Sequence, residues 1–182
     1  MSAPQKPVEP VSGMLVHTNA DRLGVSHWLR AALSEPRAAV DAWSSVGGVA
    51  LLPLGTLFAA VRIPEHLAYA AAGSTEPTVV DEFLAQFLDD GPVICDPQTR
   101  RYYALVPGST TVRWHHTAAD CLGRPWYLGV PRVDAVEPDP QKWASYWAVP
   151  MPSAGVLCDP HLVAQLVGHG DRVLAAQAEE AP

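Results

Sequence analysis

The sequence predicts an α+β fold, a mostly antiparallel sheet with helices packed on it. Three observations lead there. Two short apolar runs, Val93-Ile94-Cys95 and Tyr102 to Val106, flank the turn-forming Asp96-Pro97-Gln98-Thr99, which is the pattern of a β-hairpin. Val79, Val80, Phe83, Leu84, Phe87 and Leu88 recur at the spacing of one helix face. The elements run helix, strands, helix, hairpin, strands, helix, without the regular strand–helix alternation of a parallel sheet. With 182 residues, 48% of them hydrophobic and 17% charged, the chain has the length and composition to bury a core.

Taken in order, residues 1–12 hold Pro4, Pro7 and Pro10 with little apolar content and predict a disordered tail. Ser26 is suited to cap a short helix burying Trp28, Leu29, Ala32 and Leu33. Pro36 opens a second, with Val40 and Trp43 inward. Gly47-Gly48 ends it. Val49 to Leu52 predicts a strand, Pro53 and Gly55 a turn, and Thr56 to Ile63 a strand apolar enough to be covered on both faces. Residues 65–77 predict one helical turn, then a loop at Gly73-Ser74-Thr75. Thr78 is placed to cap the helix that Asp89-Asp90-Gly91 stops. After the hairpin come strands Trp126 to Val130 and Tyr146 to Val149. Asp159-Pro160 signals a final helix with Leu162, Val163, Leu166 and Val167 inward, ending at Gly168. The division expected is a tail over 1–12, one α+β domain over 13–172 and a frayed tail over 173–182.

The net charge of −7 argues against a broad electrostatic hold on nucleic acid or an anionic membrane, while leaving room for a local basic site. No apolar run reaches the ~18 residues of a membrane span. Three distant cysteines, Cys95, Cys121 and Cys158, and an opening without an apolar signal-peptide core lead us to expect reduced thiols and a cytoplasmic location.

Between residues 46 and 150 the order of motifs resembles the primase–polymerase domain of bifunctional DNA primase/polymerases, in the archaeo-eukaryotic primase superfamily. Carrying the resemblance are Pro92-Val93-Ile94, Arg101-Tyr102-Tyr103, Asp120-Cys121-Leu122-Gly123, Tyr127-Leu128-Gly129-Val130-Pro131 and Tyr146-Trp147. In that family an apolar strand ends in two metal-binding aspartates, a later strand carries a nucleotide-binding histidine, and a third aspartate follows. The resemblance implies that the paired acids would stand at Val61 and Ile63, and the histidine near Arg101 or Tyr102. Only Asp120 matches a family acid. Two-metal phosphoryl transfer needs clustered carboxylates, so polymerase activity, a metal site and a cofactor are not expected.

The remaining constellations are weaker. His115-His116 before Asp120-Cys121, and Cys158-Asp159-Pro160-His161, have ligand-like letters without zinc spacing, and a polar loop and a helix cap account for them. Nucleophile-elbow, P-loop and dinucleotide glycine motifs are absent. Arg100, Arg101, Arg113, Arg124 and Arg132 crowd the back half, where a shared face would make an anion site beside the stacking candidates Tyr102, Tyr103, Trp114 and Trp126; ordinary alternation between core and solvent is the simpler reading. Three functions stay open: a non-catalytic protein that binds a nucleotide or short nucleic acid, or regulates a partner that does; a protein-interaction module with a filled cleft; and an enzyme with relocated chemistry. Any ligand site is expected on the sheet face near Arg101, Tyr103, Asp120 and Arg124. The strand after Gly123 should approach the one carrying Arg101, and an Arg101–Asp120 ion pair would close the site.

Overall fold

The computed structural model describes residues 18–180; the tail expected over 1–12 lies outside them. The first helix, α1 (Asn19–Arg30), starts seven residues before Ser26 because Thr18 and Asp21 form a reciprocal capping box. It buries Val25 and Leu29. α2 (Pro36–Ser44) opens on proline and buries Ala39 and Trp43, while Val40 turns to solvent.

Two sheets follow. β1 (Val49–Pro53) pairs with β6 (Tyr127–Pro131) as a two-stranded antiparallel ribbon. The main sheet has the order β5-β2-β4-β3-β7, from β2 (Ala59–Pro64), β3 (Val93–Asp96), β4 (Arg101–Val106), β5 (Asp120–Leu122) and β7 (Tyr146–Val149). Every pairing is antiparallel. The β3–β4 hairpin stands where the sequence predicts it. The Asp96 carboxylate accepts the N–H groups of Gln98 and Thr99 and the Thr99 hydroxyl, which sets the turn. β2 begins at Ala59, three residues later than the apolar run suggests, because Gly55 (φ +87°) turns the chain tightly and donates its N–H to the Phe58 carbonyl. The strand after Gly123 does not approach β4: it leaves the main sheet as β6.

Both faces of the main sheet are covered. On one, Ala59, Val61, Ile63, Tyr102, Ala104 and Val93 pack under α3 (Glu65–Ala72), α4 (Pro77–Phe87) and α5 (Pro160–Glu180). On the other, Ala60, Leu105, Ile94 and Trp147 pack against the β1–β6 ribbon, α1 and α2. Two indoles pin this second layer: Trp43 donates to the Val130 carbonyl at 2.9 Å, and Trp147 to the Arg132 carbonyl at 3.1 Å. α3 makes two turns where one was expected. α4 starts at Pro77, so Thr78 lies inside it rather than capping it. Asp89 and Asp90 then take left-handed backbone and end the helix.

α5 does not stop at Gly168, and residues 173–180 are helical. One of its two central glycines serves packing. A Cβ on Gly170 would lie 2.5 Å from the Leu67 carbonyl oxygen of α3, so only glycine lets the helices meet at this distance. In an uncrowded helix Gly→Ala gains about 0.5–1 kcal/mol. Gly170→Ala should instead lose about 1–3 kcal/mol in urea denaturation, since the clash is with backbone. Gly168→Ala, whose Cβ would meet nothing nearer than 3.5 Å, should be neutral or stabilising. A Gly170→Ala protein as stable as the parent would contradict this packing.

Candidate functional site

Strand alternation decides which candidates meet. Asp120 on β5 faces Arg62 on β2, and Arg62 faces Tyr103 on β4. The same row continues through Ile94 on β3 to Trp147 on β7. Its far half is buried in the second core. Its near half, Asp120–Arg62–Tyr103, lies at the margin where the ribbon no longer covers the sheet. Arg101 is two residues before Tyr103 and shares its face, while Tyr102 points the other way and is buried.

Asp120 has a partner, and it is not Arg101. Arg62 Nη2 donates to Asp120 Oδ2 at 2.7 Å. Arg101 instead donates to the neighbouring Arg100 carbonyl. Arg62 was missed because it lies within an apolar run; the two-residue period of β2 against Asp120 was the signal available. Arg124 does not join the group. Leu122 pairs with Ala60, whereas Arg101 pairs with Pro64, so at ~3.3 Å per residue Arg124 stands more than ~13 Å along the sheet from Arg101. It donates to the Thr56 hydroxyl at 3.0 Å.

The other arginines scatter. Arg100 pairs with Glu65, Arg132 pairs with Asp134 beside α1, and Arg113 follows the 3-10 turn Gly108–Val112 on the opposite face of the sheet. Of the stacking candidates, Tyr102 is buried, Trp114 donates to the Ala119 carbonyl, and Trp126 is exposed at the head of β6.

The donor set does not fit the metal pair that the primase–polymerase resemblance implies. Val61 and Ile63 are fully buried under the helices, on the face away from Asp120. A carboxylate able to share a cation with Asp120 would have to stand at Arg62, and a guanidinium there repels one. Among the described residues no group of three or more His, Cys, Asp or Glu side chains is placed to hold a metal ion. No family model, curated protein or solved structure matches the chain.

The strongly shifted groups lie on the other face. Asp81 of α4 accepts the Tyr146 hydroxyl at 3.0 Å through Oδ2, while its buried Oδ1 has no partner. Burial raises its pKa to about 7, against the lowering effect of the Tyr146 bond. Burial likewise pushes the Cys95 and Cys158 thiols up to about 12 and the half-buried Cys121 to about 11; all three are free. Such thiols are poor nucleophiles and poor metal ligands.

Asp81 makes stability pH-dependent. Its folded pKa of about 7 exceeds the ordinary 3.8, so the fold prefers the protonated carboxyl. That preference is fully present below about pH 4 and is lost as pH rises to about 7. Asp81→Asn, which mimics the protonated acid, should therefore be more stable than the parent at pH 8 by on the order of 2 kcal/mol. The advantage should vanish near pH 4. Thermal denaturation across pH 4–8 tests this, and a parallel offset at every pH would contradict it.

Proposed function

We propose that the chain is a non-catalytic primase/polymerase-like protein that binds a nucleotide or a short nucleic-acid segment, or regulates a partner that does. The observation carrying this reading is the Arg62–Asp120 ion pair. The one acid that matches the resembling family is held by a cation, and the β2 position facing it offers no second carboxylate. Metal-assisted phosphoryl transfer lacks its ligands, while the surrounding groups suit binding. Arg62 and Arg101 lie along one face with the half-buried Tyr103 ring between them in the register, so guanidinium donors are available to phosphate and an aromatic surface to a base. The acidic total limits such binding to a short segment. No helix among the described residues is long and apolar enough to cross a membrane, and we place the protein in the cytoplasm.

A second reading, a protein-interaction module, is favoured by a different observation. On the outer face of the ribbon Leu51 and Tyr127 are 66% and 62% exposed, and Gly129, opposite Leu51, leaves them uncovered.

Fluorescence anisotropy of a labelled short single strand, with nucleotide competition in metal-free buffer, separates the two. The first reading expects saturable binding that Arg101→Ala weakens on the order of tenfold, a loss of about 1.4 kcal/mol. Absence of binding by the parent protein removes direct ligand binding and leaves a protein that acts through a partner.

A further inference from the structure

We propose that the groove between α5 and the 3-10 turn Gly108–Val112 is an anion site for a short phosphate chain. The inference is independent of the reading above and concerns the opposite face of the sheet. His161, Gln165, Gly168, His169 and Arg172 fall at i, i+4, i+7, i+8 and i+11, so one face of α5 forms a wall. His116, from the segment after the 3-10 turn, closes over it. The groove has two adjoining lobes of about 480 and 390 Å³ that share His116, His161 and Ala164. Arg172 lines the first lobe and Arg113 the second.

Four features point to an anion. No carboxylate lines either lobe, on a protein whose net charge is −7. Arg113 and Arg172, like most arginines of the chain, form no ion pair among the described residues, so both guanidinium groups are open to an anion. The His116 ring and the Arg172 guanidinium come together over bare backbone: His116 Cε1 lies 3.5 Å and Arg172 Nη1 3.9 Å from the point where a Gly168 Cβ would stand. An oxyanion seated there meets the Arg172 guanidinium on one side and the C–H edge of the His116 ring on the other. Finally, Thr110, 4% exposed, belongs to the wall of the second lobe, and its hydroxyl has no hydrogen-bond partner.

Length selects the ligand. His161 and Gly168 are two turns apart on α5, about 10 Å, and the two unpaired arginines serve different lobes. One phosphate cannot engage both, whereas a chain of two or three can. The shared chemistry is a di- or triphosphate group, free or carried by a nucleoside.

Isothermal titration in metal-free buffer with sodium tripolyphosphate, inorganic phosphate and a nucleoside triphosphate tests the proposal. Tripolyphosphate should bind the parent protein saturably at one site, at least tenfold tighter than inorganic phosphate. The double variant Arg113→Ala/Arg172→Ala, altered at two exposed positions, should lose at least tenfold, and Arg37→Ala, at an exposed position on α2, should bind as the parent does. A nucleoside triphosphate equal to tripolyphosphate assigns the site to free phosphate chains, and a tighter one assigns it to nucleotides. The proposal is overturned if tripolyphosphate does not bind, if inorganic phosphate binds equally well, or if the double variant is unaffected. It is also overturned if Arg101→Ala, and not the double variant, loses the binding, because the anion then belongs to the other face.

Discussion

β2 has to be apolar on both faces, and the rest of the structure follows from that. It sits between β4 and β5 and divides the protein into two cores. Ala59, Val61 and Ile63 enter the layer of α3, α4 and α5, and Ala60 enters the layer of the ribbon, α1 and α2. Fully burying a valine or isoleucine contributes roughly 1.5–3 kcal/mol, so a charge at position 61 or 63 would cost the first core far more than a surface charge costs. Arg62 is the one charged side chain on the strand. It is tolerated because it points to the second face at the margin where the ribbon ends, with 38% of its side chain exposed.

This placement governs the chemistry of the sheet face. Asp120 lies in register with Arg62, so the carboxylate meets a guanidinium across about 5 Å of sheet. The pair is exposed and contributes at most about 1 kcal/mol to stability. Its consequence is electrostatic: Asp120 is already neutralised, and Asp96, the acid opposite Arg101 in the register, is taken up by the turn N–H groups and the Thr99 hydroxyl. A face organised this way offers donors and an aromatic ring to an anion and has no cage for a cation. The second face reaches similar chemistry by other means, with α5 presenting its histidines and an arginine as one stripe towards His116.

The hairpin, the apolar β2 and the Asp-Pro start of α5 were legible because each has a local cause: an Asx turn, a run without polar interruption, a cap. Helix starts at Ser26 and Thr78 were misread because a stronger local signal lay nearby, the Thr18–Asp21 capping box in one case and Pro77 in the other. The stop at Gly168 failed because a single glycine costs a helix only about 1 kcal/mol, and α5 runs on through it, packed against α3 at Gly170. The candidate site was half legible. Alternation put Arg101 and Tyr103 on one face and Tyr102 on the other. The register of β5 against β2 is a long-range fact, and it supplied Arg62 as the partner of Asp120. The same register carried Arg124 away and put Val61 and Ile63 on the wrong face for metal. His116 and His161 looked inert as separate motifs and acquire meaning only when the fold brings them to one groove.

The claim at the centre of this account is that the sheet face holds an ion pair and not a metal site. Titration of Mn²⁺ followed by electron paramagnetic resonance, on the parent protein and on Asp120→Asn, addresses it directly. The account predicts that the free-ion signal rises identically with added Mn²⁺ in both. A saturable loss of one equivalent of signal in the parent, abolished by Asp120→Asn, would contradict it.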